Sequence, residues 1–377
     1  MVQMNKIRIL HMTPPIVNNG IYKYIFMLYK YIDKSRFEFE FLMQAPEELM
    51  KTKEYHEYGF KIRSFTTTQR ENPEKFRKEI YDILSDGYDV LELHTSYWRG
   101  FMIEEIAMEI GIPRVIVHSH SSGLDNNDAV ERDRQMKIHM QFKQAFGAQY
   151  ATDFWACSWK AADWLYGDKI PRDKIKIVNN AIEVEKYQYN PILRENVRKQ
   201  LGLENSFVIG HTGRFEYQKN HEFLLRVFKS VCLDKPYARL LLVGEGKLRE
   251  NIEKYAEELG ISKQVISLGW RNDIPELLQA MDMYCLPSRF EGLPIVMVEA
   301  QCADLKCITS SEVTEEAAIL DDFQRLPLDE EVWVQNINQY ISAPKKRDEN
   351  IELIRKSGFD IKTEIKNIEK LYSNKDI

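Results

Sequence analysis

The chain has 377 residues and an apolar fraction of 44%, more than one ordinary domain requires and enough to fill two cores. Its formal charge of −6 excludes the basic excess of a general nucleic-acid binder. Five scattered cysteines, Cys157, Cys232, Cys285, Cys302 and Cys307, point to free thiols in a reducing compartment and not to a disulfide framework. The N-terminal stretch MVQMNKIRILHMTPP lacks the apolar core of a signal peptide. No stretch approaches the roughly 18 apolar residues of a spanning helix.

In chain order, IRILHM reads as a first strand. It is followed by the loop Asn18-Asn19-Gly20 and the helical IYKYIFMLYKYI. A loop and helix N-terminus at Gly20 suit a phosphate, and a plain capped helix start fits nearly as well. Strand patterns continue with FEFEFLMQ, DVLELHT, RVIVHSH, DFWACS and KIKIVNNAI, separated by charged helical stretches such as NPEKFRKEIYDILSDG. Alternation puts His118 and His120 on one face at the end of RVIVHSH, where a histidine serves as hydrogen-bond donor or base. His94 ends the preceding strand and is a weaker candidate. A zinc site here would need a third ligand, for which Asp125 and Asp128 are nearest, and no HExxH spacing supports one. The stretch RQMKIHMQFKQAF mixes basic and apolar residues; it suits a membrane interface, but a solvated helix packed on its own domain is the simpler reading.

After a polar segment near 186–200 a second series begins: FVIGHTGRF, ARLLLVGEG, QVISLGW, MDMYCLP and LKCITSS. Helical patterns such as KLRENIEKYAEELG follow the strands and end on Gly. Apolar strands alternating with helices predict two doubly wound parallel sheets, whose ligands sit at the carboxyl ends of the strands.

The motifs fall at those ends. Gly213 permits a tight exit from its strand, and Arg214 and Lys219, five apart in the loop, are placed to converge on one anion. A diphosphate leaving group gains charge as its bond to a sugar breaks, so two cations there would favour the transition state over the ground state; two solvated surface cations are the alternative. Gly244, in VGEGK, is a weak glycine signal for close approach of a ligand, and an ordinary strand-to-helix turn is the simpler reading. Trp270 and Arg271 end another strand, where a base would lie against the chain unless Trp270 is core. The stretch EGLPIVMVE holds Glu291 and, within an apolar helix, Glu299. A carboxylate buried there needs a partner, and a sugar diol supplies two hydrogen bonds. The chain has no D-x-D triplet, so a metal-clamped diphosphate is not indicated and no cofactor is expected.

Together GRFEYQKN, VGEGKLR, LGWRNDI, LPSRFEGLPIVMVEAQ and VNNAIE resemble the retaining GT-B glycosyltransferases of family 4 over nearly the whole chain. HSH, ACSWKAADWLYGD and IYKYIFMLYKYIDKSRFEFEFL resemble its capsular and exopolysaccharide branch. The resemblance implies an α/β GT-B architecture of two Rossmann-like domains facing across a cleft. These are an acceptor domain at 1–185 and a donor domain at 186–354, with the helix at about 355–377 packing back on the first. It implies retaining transfer of a hexosyl or N-acetylhexosaminyl group from a nucleotide-sugar, with UDP the expected nucleotide, to a lipid-linked or oligosaccharide acceptor. The enzyme would work in the cytoplasm or on the inner membrane face.

In the implied site Glu291 contacts the sugar hydroxyls, aided by backbone amides of Gly292, Leu293 and Pro294. Glu299 binds the ribose, Arg214 and Lys219 hold the diphosphate, and backbone near Arg271 meets the base. Gly20 approaches the phosphates or the acceptor. A strand-end histidine contacts the sugar, with His120 the first choice and His118 the second. Asn19-Gly20, Tyr22 and Asp304-Leu305-Lys306 depart from the family pattern. A non-catalytic GT-B glycan-binding or partner-assisting protein is the alternative. An epimerase or hydrolase of the same architecture is a further class, for which no convincing carboxylate set is found in the first half.

Overall fold

Among the described residues thirteen short runs form strands, and those in the middle of each sheet are buried along most or all of their length. Such two-sided burial is what a parallel sheet covered by helices demands. The computed structural model describes residues 6–14, 19–348 and 351–374. In it the chain forms two compact units.

The first unit comprises residues 1–124, 133–182 and 361–377. Its strands are β1 (Ile7–Met12), β2 (Phe37–Met43), β3 (Lys61–Ser64), β4 (Val90–Thr95), β5 (Arg114–Ser119), β6 (Asp153–Ala156) and β7 (Ile175–Ile177). They build an all-parallel sheet in the order β3-β2-β1-β4-β5-β6-β7. The second unit comprises 125–132 and 183–360. Its strands are β8 (Phe207–Thr212), β9 (Ala238–Val243), β10 (Val265–Ser267), β11 (Met283–Leu286), β12 (Lys306–Ser310) and β13 (Gln324–Leu326), in the order β10-β9-β8-β11-β12-β13. In each sheet the order reverses once, between β1 and β4 and between β8 and β11. That reversal opens the crevice at which doubly wound folds bind ligands.

Two strands, β3 and β13, were not legible in the sequence. Both are short and lie at sheet edges, and β3 alternates charge with apolar residues. KIKIVNNAI holds only a three-residue strand, because Val178 onward turns away into buried loop. The two-unit doubly wound plan is as expected.

Helix starts follow capping chemistry. Asn72 and Asn190 each precede a first-turn proline, and their side chains accept from the amides of Lys75 and Leu193, satisfying otherwise orphaned donors. The last helix, Ile361–Ser373, buries Ile361, Ile365, Ile368 and Tyr372 in the first unit's core beside the helix Gly20–Tyr31. Its Glu369 accepts from the Asp33 amide at 2.8 Å. All five cysteines are free, and all but Cys232 are buried, so Cys302 and Cys307 act in packing. Among the described residues no helix is long and apolar enough to cross a membrane.

One core acid makes stability depend on pH. Glu104, buried in the helix Met102–Ile110, has its pKa pushed by burial up to about 8. The unfolded chain releases that proton near the ordinary carboxylate value. Between the two values the folded state holds one proton more, so stability falls as pH rises, by at most about 1.4 kcal/mol per unit, and the loss ends above the folded pKa. Glu104→Gln is expected to remove this slope and to be the more stable protein near the upper end of the window. Urea unfolding across the window measures it, and parallel parent and variant curves would refute the assignment.

Candidate active site

In the second unit the carboxyl ends of β8 and β11 meet at the order reversal. After Thr212 the chain leaves β8 through Gly213 and runs to a short turn at Tyr217–Lys219. It then passes Asn220, held in the left-handed region at φ 55°, before the helix His221–Asp234. The loop after β11 is tied to it by Asn220 Nδ2 donating to the Pro287 carbonyl at 3.2 Å and Arg289 N donating to the Gln218 carbonyl at 2.8 Å.

This tie brings Lys219 Nζ to Glu291 Oε1 at 2.7 Å, with the two side chains only 12% and 8% exposed. Ser288 Oγ donates to the same oxygen at 2.7 Å, and Gln218 Nε2 donates to Oε2 at 3.1 Å. The result is a largely dehydrated carboxylate aligned by one cation and two neutral donors. Such a group offers lone pairs of fixed direction to a diol.

Arg214 and Lys219 do not share a partner. Arg214 Nη2 binds Asp125 Oδ2 at 2.7 Å, while Lys219 is held by Glu291. Asp125 Oδ1 also accepts from the Gln218 amide at 3.0 Å, and Asn127 Oδ1 accepts from the Tyr217 amide at 2.7 Å. The segment 125–132 thus belongs to the second unit and braces its cationic loop. Asp125 is therefore occupied as an arginine partner and is not the third group beside His118 and His120.

Glu299 lies in the helix Ile295–Cys302, 1% exposed, and Tyr187 Oη donates to its Oε1 at 2.9 Å. Burial first, and then Glu299, push the Tyr187 hydroxyl far above its ordinary range, which keeps it a donor. Gly292, Leu293 and Pro294 are buried between the two carboxylates. Pro294 has no N–H, so the expectation of three backbone amides is corrected to two; its carbonyl accepts from Met297 N at 3.0 Å.

Gly244 is required by the protein's own backbone. At φ 146°, a Cβ built on it would lie 2.0 Å from the Gly213 carbonyl oxygen. The two loops are laced by Gly213 N to Val243 O and Phe215 N to Glu245 O, both 2.9 Å. Arg271 pairs with Asp273, its Nε 2.7 Å from Oδ1. Trp270 is 52% exposed, so the core reading of this residue is wrong. Asp304 keeps the departed glycine turn by itself adopting φ 50°, a conformation Asp tolerates better than most residues.

In the first unit, Gly20 opens its helix, and the Asn19 side chain accepts from the amides of Ile21 and Tyr22. Those two donors are thus taken by the cap, which favours the plain helix start over a phosphate cradle. Asn18 lies outside the described residues. Tyr22 is core, its hydroxyl donating to the Pro14 carbonyl at 2.8 Å and lying 2.8 Å from the Thr13 hydroxyl.

His118 is fully buried and His120 half-buried, their ring centroids 4.0 Å apart. His118 Nδ1 lies 2.8 Å from Glu92 Oε1, and His120 Nε2 lies 2.9 Å from His94 Nδ1. His94 is therefore an integral member of the cluster. Ser288, Gln218 and Tyr187 were missed from the sequence, and Asp125 was weighed there only as a metal ligand and not as the partner of Arg214. Ser288 alone left a signal, three residues before Glu291 in one turn; the others are placed by loops distant along the chain.

Residues 194–357 match the family model described as glycosyl transferases group 1. The chain is 28% identical over 361 residues to EpsF of Bacillus subtilis, named as a candidate glycosyltransferase, covering 94% of this chain and 93% of that protein. It is 26% identical to the Escherichia coli UDP-Gal:alpha-D-GlcNAc-diphosphoundecaprenol alpha-1,3-galactosyltransferase, covering 78% of this chain and 77% of that protein. Its fold superposes on Anabaena HepE, solved in complex with UDP and glucose, with a TM-score of 0.76 at 17% identity, covering 97% of this chain and 99% of that one.

This is a glycosyltransferase of the GT-B fold. The matched region of the glycosyltransferase contains Arg214, Lys219, Gly244, Arg271, Glu291 and Glu299, whereas Asp125 and Tyr187, which brace them, lie outside it.

Proposed function

We propose that the enzyme transfers a hexosyl or N-acetylhexosaminyl group, with retention, from a UDP-sugar to a lipid-linked or oligosaccharide acceptor in surface polysaccharide synthesis. The work would be done at the cytoplasmic face of the membrane. The observation that carries this reading is the Lys219–Glu291 contact with its Ser288 and Gln218 donors. It joins a cation suited to a diphosphate to a carboxylate suited to sugar hydroxyls. Support for donor and acceptor comes from the names of the relatives above, one using UDP-Gal and a diphosphoundecaprenol-linked sugar.

In this reading the bond between the anomeric carbon and the diphosphate oxygen breaks and the electron pair leaves with the diphosphate. Lys219 and Arg214 neutralise the growing charge, with no metal clamp. The acceptor hydroxyl attacks from the same face and gives its proton to the departing phosphate oxygen. Glu291 orients the sugar, Glu299 the ribose, and backbone near Arg271 and at Gly292 and Leu293 completes the donor contacts. His120, ahead of His118, is assigned to the sugar on the strength of the family resemblance.

The test is nucleotide release from a panel of UDP- and GDP-sugars without acceptor, for the parent and Glu291→Ala. Slow parental release of UDP from one sugar, lost in the variant, is expected. No release from any donor, joined with no binding of UDP or GDP by calorimetry, would overturn the reading.

A further inference from the structure

Three adjacent strands of the first unit send imidazoles to one face of the sheet. His11 comes from β1, His94 from β4, and His118 and His120 from the end of β5, with His94 in register with His118. Three of the nitrogens converge: His94, His118 and His120 each offer a ligand atom, and these atoms lie within 4.8 Å of one another. His118 Nε2 is buried and has no hydrogen-bond partner among the described residues, which is costly for a polar atom in a core.

The outer contacts are those of a metal site. His118 Nδ1 is engaged by Glu92 Oε1 at 2.8 Å, whose second oxygen accepts from Tyr372 Oη. A carboxylate on the far nitrogen fixes the ring's tautomer and turns Nε2 toward a metal. His94 Nε2 lies 3.0 Å from His11 Nδ1, so a proton on Nε2 leaves His94 Nδ1 as the acceptor facing His120 Nε2 at 2.9 Å, and a metal bound there would displace the proton that the two nitrogens share. Burial pushes the His118 pKa down to about 3, and burial together with neighbouring imidazoles pushes those of His94 and His120 well below the ordinary value. The Tyr24 ring walls the cluster at 5.4 Å from His118 and 5.7 Å from His120.

We infer that His94, His118 and His120 form a binding site for a divalent transition metal of the imidazole-preferring class, with Zn2+ the expected ion. Three nitrogen ligands and a remaining open position are the donor set of an open zinc site. The inference does not rest on Arg214, Lys219 or Glu291, but it shares His120 with the sugar contact proposed above. Occupancy would also divert His120 from the sugar, so Zn2+ is expected to inhibit transfer and chelation to relieve it.

The test titrates the chelator-stripped full-length protein with Co2+, read by its visible ligand-field bands, and with Zn2+ by calorimetry and thermal unfolding. One ion per chain with a low-symmetry nitrogen-ligated cobalt spectrum is expected, with a rise in melting temperature that grows with Zn2+ concentration. His120→Asn, at the half-exposed edge of the cluster, is expected to fold and to weaken Co2+ binding at least about 100-fold; Glu92→Gln is expected to weaken it about 10- to 100-fold. Absence of stoichiometric binding by the parent, or binding that His120→Asn leaves unchanged, would overturn the site and leave the cluster a hydrogen-bonded imidazole relay. Neither result depends on donor turnover, so failure of the metal site and failure of the transferase reading are separable.

Discussion

Replacing Lys219 by Ala is expected to lower acceptor-independent release of nucleotide from the donor by about 100- to 1,000-fold, the usual cost of deleting one group that stabilises a developing oxyanion. The loss should fall mainly on kcat, because in the proposed reaction the charge assigned to Lys219 grows as the glycosidic bond breaks. A second effect accompanies it. Glu291, 8% exposed, loses this cation and keeps Ser288 and Gln218 as neutral donors. Removing one partner from so dehydrated a pair costs about 3 kcal/mol of folding stability. Lys219→Arg separates the two effects. It retains the charge and much of the stability, but its fork and greater reach misplace that charge at a site built for an ammonium. Steady-state kinetics with the donor identified by the panel, set beside urea unfolding, measure both. Unchanged kcat in Lys219→Ala would remove Lys219 from the transition state.

Gly244→Ala is the second large effect, this time on folding. The added Cβ would stand 2.0 Å from the Gly213 carbonyl oxygen and 2.9 Å from its carbon, on a residue with φ 146°. Neither chain can retreat. Gly213 N is bonded to Val243 O, and Gly244 N to Gly269 O, each at 2.9 Å, so the ends of β8, β9 and β10 are pinned to one another. Strain at such a φ and overpacking against backbone each cost about 1–3 kcal/mol, giving a loss of roughly 3 kcal/mol or more. Gly260→Ala is the comparison: its φ is also positive, at 75°, but a Cβ there meets nothing within 4 Å, so only the local strain of about 1 kcal/mol applies. Equal losses in the two variants, by denaturant unfolding, would refute the role given to the close approach.

Much of the fold was legible because its signals are local. FVIGHT and ARLLLV carry apolar runs, 207–210 and 240–243, that are bounded by turn residues, the pattern of strands buried on both faces. The edge strands Lys61–Ser64 and Gln324–Leu326 were not legible, since each is half-exposed and takes its conformation from pairing with a neighbour. The same division runs through the candidate site. Glu291 and Glu299 were legible because a carboxylate beside or inside an apolar run demands a partner. Which partner each has was not. Lys219, placed by spacing alone with Arg214, is held by Glu291, and Arg214 by Asp125 from a distant segment. Pro294 was miscounted as an amide donor, an error that covalent chemistry alone corrects.

The amino-acid sequence by itself determined the alternation of strand and helix, the two parallel sheets and the loops that carry the charged residues, because hydrophobic period and turn chemistry act over a few residues. Only the tertiary structure decided which charges pair, which glycines lie against backbone, and that His94 and Glu92 join His118 and His120 in one buried cluster. Those contacts join residues dozens of positions apart through sheet register and loop packing, and neither is encoded in the spacing of the residues that finally meet.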